Sequence, residues 1–368
     1  MNRFERQEIL KGFGIEGQKK LREARILVVG AGGLGCPALL YLAAAGIGTL
    51  GIADGDFVSL SNLNRQILFG IEDLGKPKAS TAAGLLNLKY PDIHINIHET
   101  YLQVHNAIPI LSNYDLIIDG TDNFQTRYLL NDGCFLLKKP YIMAAIFQNE
   151  GQVAVLNLAY GNDRPLHYRD IYPDPPMPHE IPNCNESGVI GVLPGILGML
   201  QAAEAIKLLT GYGTPLKNKL LHYHLLDTNF FEIEITANPK ADQTTPLNLD
   251  AYYKMDYVMT CGGVETINWK DAMDVLQKEK HALLIDVREK DELPTTELLN
   301  CHQIPLRQLE NEIIKLQAAD SFILFCQTGT RSGHAASLLK AMFPNKHIYS
   351  IIGGLRDFNS PLNLKLYG

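Results

Sequence analysis

The chain has 368 residues, 46% apolar and 20% charged, a globular balance that excludes wholesale disorder. Its 33 Lys+Arg against 40 Asp+Glu leave a net charge of −7, so the basic footprint of a nucleic-acid binder is absent. Six cysteines without one Cys-x-x-Cys exclude a disulfide scaffold and the common zinc frameworks. At about 150 residues per domain, the length predicts two or three domains. The N-terminal segment is too charged for a secretory signal. The longest apolar stretch, 37–53, is broken by Gly46, Gly48 and Gly51 and falls short of the ~18–20 residues that span a bilayer. A cytoplasmic protein without a membrane partner is expected.

Taken in chain order, RILVVG reads as a strand, 34–45 as a helix and TLGIAD as a second strand. A helix over 78–90, strands at IHINIHE and LIIDG and a helix over 124–137 follow. Strands alternating with helices of this length imply an α/β fold around a mainly parallel sheet. EGQVAVLN and LLHYHLLDTNFFEIEI read as antiparallel additions, which makes the sheet mixed. Between them, DIYPDPPMPHEIP is too rich in proline for regular structure and reads as a mobile surface crossover. The polar, aperiodic stretch 238–262 reads as a linker of about 25 residues between a first domain, 1–237, and a smaller α/β domain, 263–368. In the latter, ALLIDVRE is a strand, 309–317 a helix, SFILFC a strand and SGHAASLLKAMF a helix.

Chemistry concentrates first at Gly30-Ala31-Gly32-Gly33-Leu34-Gly35, a G-x-G-x-x-G between a strand and a helix. Such glycines let backbone approach phosphates, which helix N-terminal amides hold. Asp54 ends the next strand, placed to accept from ribose hydroxyls. The fingerprint alone would suit NAD. Its neighbours do not: SLSNLNRQ sets Asn62, Asn64 and Arg65 in a polar loop, Lys78 opens a helix, and Asp122 stands in DGTDN at the carboxyl edge of a strand. Cations with a carboxylate suit a nucleoside triphosphate and Mg²⁺. No acid/base for hydride transfer is apparent.

Two cysteines stand apart. SFILF runs into Cys326-Gln327-Thr328-Gly329-Thr330-Arg331 and then a helix, aiming amides and a helix N-terminus at one sulfur. That arrangement stabilises a thiolate or persulfide, and Arg331 adds positive charge. A phosphatase loop has five residues between Cys and Arg, whereas four intervene here, a size better suited to sulfane sulfur. Cys184, in PNCNESG, follows the crossover on a polar loop. Cys36 and Cys134 read as core, and Cys261 and Cys301 as inert. His167, His179, His222 and His224 lack helical metal spacing and read as solvated or strand-face residues.

Residues 1 to about 236 resemble the MoeB/ThiF family of ubiquitin-activating-like adenylyltransferases. The likeness lies in the ERQ…GxxGQ arm, GAGGLG, the Asp54-x-Asp56 pair, SLSNLNRQ, the Lys78 segment, DGTDN, NCNESGVIG and QAAEAIKLLTG. Residues 265–368, through LIDVRE, the Cys326 loop and GGLRDF, resemble a rhodanese sulfurtransferase domain, although ELLNCHQIPL departs from the family wording. The resemblance implies a Rossmann-like adenylation domain that binds ATP through Gly30, Gly32, Gly33, Gly35, Asp54, Asp56, Ser61, Asn62, Asn64, Arg65, Lys78, Asp122 and Asn123, with Mg²⁺ at Asp122. It also implies a homodimer in which Arg6 reaches the partner's ATP, and a Cys184 that links to the substrate. The substrate would be a ubiquitin-like sulfur carrier, MoaD-like first and ThiS-like second, adenylated at its C-terminal glycine and converted to a thiocarboxylate by a Cys326 persulfide. Sulfur would come from a donor such as a cysteine desulfurase or thiosulfate. Where the family often has two zinc-binding Cys-x-x-Cys pairs, this chain has His167 and Asp170, then about Ala241 and Thr244. No structural zinc is expected, and that segment should be held by packing or be looser. The alternatives are adenylation of a peptide or small carboxylate, a non-catalytic carrier scaffold and, last, an NAD-dependent dehydrogenase.

Overall fold

The computed structural model describes residues 3–158, 164–175, 188–255 and 257, and from 264 to 358 all but scattered positions. The chain divides into two compact units, one ending at Tyr257 and one beginning at Val258.

In the first unit, two short helices, α1 (Glu5–Glu8) and α2 (Gly14–Glu23), precede the sheet. β1 (Arg25–Val29), α3 (Gly35–Ala45), β2 (Thr49–Ala53), α4 (Lys78–Lys89), β3 (His94–His98), α5 (Val104–Leu111), β4 (Leu116–Asp119) and α6 (Phe124–Leu136) then alternate; all but α5 have a counterpart in the sequence reading. β1 and β4 are buried almost throughout, as continuous Ile/Leu/Val runs are when helices cover both faces. α3 stops at Gly46, whose left-handed φ of 85° an L side chain would resist. β5 (Tyr141–Phe147), to which the sequence reading assigned no element, is the pivot of the sheet. It pairs parallel with β4 and antiparallel with β6 (Glu150–Leu156). β7 (Lys219–His224) and β8 (Asn229–Glu234) complete the order β3-β2-β1-β4-β5-β6-β7-β8. A short α7 (Tyr168–Ile171) and a 19-residue α8 (Val192–Thr210) lie between β6 and β7. α8 is long and apolar enough to cross a membrane, but it packs against α3, β5 and β6.

Part of the stretch read as linker belongs to this unit. α9 (Pro239–Thr244) is capped by Asn238, whose Oδ1 accepts from the Lys240 amide at 3.0 Å. α10 (Leu249–Lys254) is capped by Asn248, which accepts from the Ala251 amide at 2.8 Å. Tyr252 and Tyr257 are buried. Six-residue helices are too short for an apolar period to show in sequence, which is why the stretch reads as featureless.

α7, which His167 precedes and which carries Asp170, packs against α9, which carries Ala241 and Thr244. Arg164 holds Asp170 with two bonds, 2.8 and 2.7 Å, and pairs with Asp242 at 2.7 Å, while Asp170 accepts the Asn238 amide at 2.8 Å. Charged hydrogen bonds, rather than looseness, join the two segments. His167 corrects the expectation of a solvated ring: it is 1% exposed, and burial depresses its pKa to about 4, so it is neutral. His222 lies on a strand face, stacked on Phe231. His179, Cys184 and most of the Pro-rich crossover lie outside the described residues.

The second unit is a five-stranded parallel sheet in the order β11-β10-β12-β13-β9. It comprises β9 (Glu265–Ile267), α11 (Trp269–Lys278), β10 (Ala282–Asp286), β11 (His302–Gln303), α12 (Leu309–Ile313), β12 (Ser321–Phe325), α13 (Thr330–Met342) and β13 (His347–Ile351). Ile285, Phe322, Leu324, Ala335 and Leu339 form a core on one face, and Trp269, Ile323, Phe325 and Leu355 one on the other. Two apolar faces are what a parallel sheet between helices requires.

Candidate active sites

A cavity of about 250 Å³ opens at the carboxyl ends of β1, β2 and β4, the edge where open α/β sheets bind ligands. Gly30, Gly32, Gly33, Asp54, Asp56, Arg65, Lys78, Asp122 and Asn123 line it. Gly30 adopts φ +90°, and a Cβ there would sit 2.8 Å from the Gly120 carbonyl oxygen, so this crossing of two loops admits only glycine. Gly35 plays a different part from the one expected. Among the described residues it does not line the cavity; its missing Cβ lets α3 pack onto the Gly30 carbonyl, 1.8 Å from where that Cβ would lie.

Asp54 spends one acceptor site of each oxygen on its own surroundings. Oδ2 accepts the Ala31 amide at 2.7 Å, and Oδ1 the Asp56 amide at 2.8 Å. It therefore shapes the glycine loop while keeping acceptor capacity for a ligand. Burial raises its pKa, with the Lys78 ammonium opposing. Lys78, 5% exposed at the first position of α4, donates to Asp56 Oδ2 at 2.6 Å. Arg65 donates to the Ser61 carbonyl at 3.0 Å and to Asn64 Oδ1 at 3.1 Å. Ser61, Asn62 and Asn64 are outside the cavity lining; Ser61 and Asn64 aim Arg65 into it. Asn123 lines the cavity but also caps α6, accepting from the Thr126 amide at 2.8 Å. Arg6 is exposed on α1 and is not among the residues that line the cavity of its own chain.

The sequence reading missed the support for Asp122. Asp119, fully buried at the end of β4, accepts the Tyr141 hydroxyl at 2.6 Å, the Thr121 amide at 2.9 Å and the Thr121 hydroxyl at 2.6 Å. Arg127 approaches the same carboxylate at 3.5 Å and donates to the Ala144 carbonyl at 3.1 Å. These bonds fix the turn that presents Asp122. Gln66, which closes SLSNLNRQ, also lines the cavity, and Thr100, Tyr101, Leu102, Phe147 and Gln148 are further lining residues that no motif identified.

The second constellation is in the other unit. Cys326 follows β12 and is fully buried, and its Sγ receives the Gly329 amide at 3.1 Å. Gly329 has φ +94°, and a Cβ there would press on Gly353 and Ile351 at 3.1–3.2 Å. The GGLRDF segment closes the loop from behind: the Leu355 amide donates to the Cys326 carbonyl at 2.8 Å, and the Arg356 amide to that of Gln327 at 3.2 Å. Arg331, expected as a fixed charge for the sulfur, is engaged by Glu292 through two bonds, one of 2.7 Å. Glu292 lies outside every motif used. Cys36 and Cys134 are core cysteines whose thiol pKa values burial raises, to about 12 for Cys36. Burial also raises that of Cys301, and Cys261 lies outside the described residues.

A family model described as ThiF family matches residues 4–245. The chain belongs to the ThiF family. A model described as Rhodanese-like domain matches residues 269–361, the segment carrying the Cys326 loop. This ThiF-family chain is 39% identical to the probable adenylyltransferase/sulfurtransferase MoeZ of Mycobacterium tuberculosis, over 92% of this chain and 88% of MoeZ. It is 44% identical to a sulfur carrier protein adenylyltransferase of Thermus thermophilus, over 71% of this chain and 97% of that one. Escherichia coli MccB, solved with ATP, shares the fold at a TM-score of 0.56 and 23% identity, over 65% of this chain and 73% of MccB. The chain is an adenylyltransferase with a sulfurtransferase domain.

Proposed function

We propose that this enzyme adenylates the C-terminal glycine of a ubiquitin-like sulfur carrier and converts it to a thiocarboxylate. The observation that carries the reading is one chain holding both the phosphate-side cavity of Arg65, Lys78 and Asp122 and the Cys326 loop. A carrier carboxylate oxygen attacks the α-phosphorus of ATP, the α–β bond breaks and pyrophosphate leaves. Arg65 and Lys78 stabilise the charge that develops. Three carboxylates and two cations line the cavity, so a nucleoside triphosphate meets a net negative site. Asp122 has no hydrogen bond or ion pair among the described residues and is a hard oxygen donor, fit to hold Mg²⁺ that would offset that charge. Arg6 would complete the site of a partner copy in a homodimer, and the exposed apolar Ile9, Leu10 and Ile15 nearby support such contact.

In the second stage Cys326 takes the outer sulfur of a persulfide or thiosulfate, whose remainder leaves with the electron pair. The resulting persulfide attacks the acyl-adenylate carbonyl carbon, the C–O bond breaks and AMP departs, leaving an acyl disulfide on Cys326. One thiol of a dithiol reductant then attacks the Cys326 sulfur, the thiocarboxylate leaves with the electron pair, and the second thiol closes the reductant's own disulfide and frees Cys326. Cys184 would link transiently to the carrier, as the family resemblance implies. The reading places this chemistry in the cytoplasm, without structural zinc. A MoaD-like carrier, and so molybdopterin synthesis, is the first choice, supported by the likeness to MoeZ. A ThiS-like carrier would instead feed thiazole synthesis. ATP–pyrophosphate exchange with each carrier separately, and with Asp122→Ala as control, tests this reading. Exchange that depends on one carrier and is lost in the variant supports it and names the pathway; no exchange with either overturns it.

A further inference from the structure

Asp132, on α6, is fully buried and lines no part of the nucleotide cavity. Arg169 grips it with Nε at 2.8 Å and Nη2 at 2.7 Å, the Tyr257 hydroxyl donates at 2.8 Å, and Asn131 Nδ2 at 2.9 Å. The Arg169 guanidinium lies 4.8 Å from the centre of the Tyr128 ring. A buried ion pair contributes little stability over apolar residues of similar volume, because desolvation offsets the attraction. What it does supply is a fixed geometry. Here three segments converge on one carboxylate: α6, which begins beside Asp122; α7; and Tyr257, the last residue of the adenylation unit.

We infer that Asp132 is a positioning residue for sulfur transfer. With Arg169 and Tyr257 it pins the end of the adenylation unit to α6, so that the connection to the sulfurtransferase unit starts at a fixed point and is short. The inference rests on the two-stage reading above. Only seven residue steps separate Tyr257 from Val264, which packs in the core of the sulfurtransferase unit (264 − 257). They span at most about 25 Å. The sequence reading expected a connection of about 25 residues. Effective concentration falls roughly as the −3/2 power of connection length, so seven steps instead of 25 raise it about sevenfold.

The test uses the full-length protein with its carrier, ATP and a persulfide source, and reads pyrophosphate exchange and thiocarboxylate formation separately. Inserting 18 Gly/Ser residues after Tyr257 should slow thiocarboxylate formation roughly sevenfold and leave exchange unchanged. Tyr257→Phe and Asp132→Asn should lower thiocarboxylate formation in the same selective way, and the insertion should add less in those backgrounds than in the wild type. Where Asp132→Asn fails to fold, Tyr257→Phe carries the comparison. Exchange and thiocarboxylate formation falling together, an insertion without effect, or full additivity would overturn the inference. Absence of exchange in the wild-type protein would instead refute the adenylation reading itself.

Discussion

Gly30→Ala should damage nucleotide binding and stability together, because two backbones cross at that position. An alanine at φ +90° costs about 1–2 kcal/mol in backbone strain. Its Cβ would lie 2.8 Å from the Gly120 carbonyl oxygen, so the loops must separate by roughly 0.6 Å to reach an ordinary 3.4 Å contact. Neither side yields easily: the Gly30 amide is bound to the Ala53 carbonyl at 2.7 Å, and the Gly120 amide to that of Val29 at 2.8 Å. Overpacking of this kind adds about 1–3 kcal/mol, for a total near 3 kcal/mol. In a unit of this size that lowers Tm by about 6–12 °C. Displacing amides that hold phosphates should raise the KM for ATP in pyrophosphate exchange about tenfold or more. Gly84→Ala is the control: the site is on the exposed face of α4 with nothing within 4 Å, and the change should stabilise by roughly 0.5–1 kcal/mol. A Gly30→Ala protein with wild-type Tm and wild-type KM would refute the reasoning.

Three further outcomes follow from the geometry. His167 is held neutral by burial with a pKa of about 4, below its unfolded value of 6.5. The unfolded chain therefore binds the proton first, and stability that is full above pH 7 is lost as pH falls towards 4. Urea titrations should show about 2 kcal/mol lost between pH 7 and 5, a loss that His167→Phe removes. Freeing Arg331 by Glu292→Gln should lower the KM for thiosulfate in the sulfurtransferase assay several-fold; an unchanged KM would show that Arg331 does not meet the donor. Arg65→Ala should cut pyrophosphate exchange by about 10²-fold or more without changing the loading of Cys326 with sulfur, and equal loss of both would contradict the separation of the two sites.

Much of this arrangement was legible in the sequence because it depends on local patterns. The Gly30–Gly35 fingerprint, the helix start at Lys78 and the turn from β12 into Cys326 are each written within a dozen residues. What escaped notice depends on distant partners. Nothing around Tyr141 announces that its hydroxyl meets Asp119, 22 residues away, nor does anything near Glu292 point to Arg331. β5 went unassigned because YIMAAIF lacks alternation, being buried where the sheet changes from parallel to antiparallel. Residues 239–255 and Tyr257 look like linker because their order comes from contacts with α6 and α7 rather than from their own periodicity. The same limit applies to Arg331, whose charge is read at once but whose carboxylate partner is not.

The most direct measurement is mass spectrometry of the carrier after incubation with enzyme, ATP and a persulfide source, using wild-type protein and Cys326→Ser. The account predicts exchange of one carboxylate oxygen for sulfur in the wild-type reaction. With Cys326→Ser it predicts none, while pyrophosphate exchange continues at the wild-type rate. Thiocarboxylate formed equally well without Cys326, or pyrophosphate exchange lost along with it, would contradict the claim that two separate sites on one chain carry out the two stages.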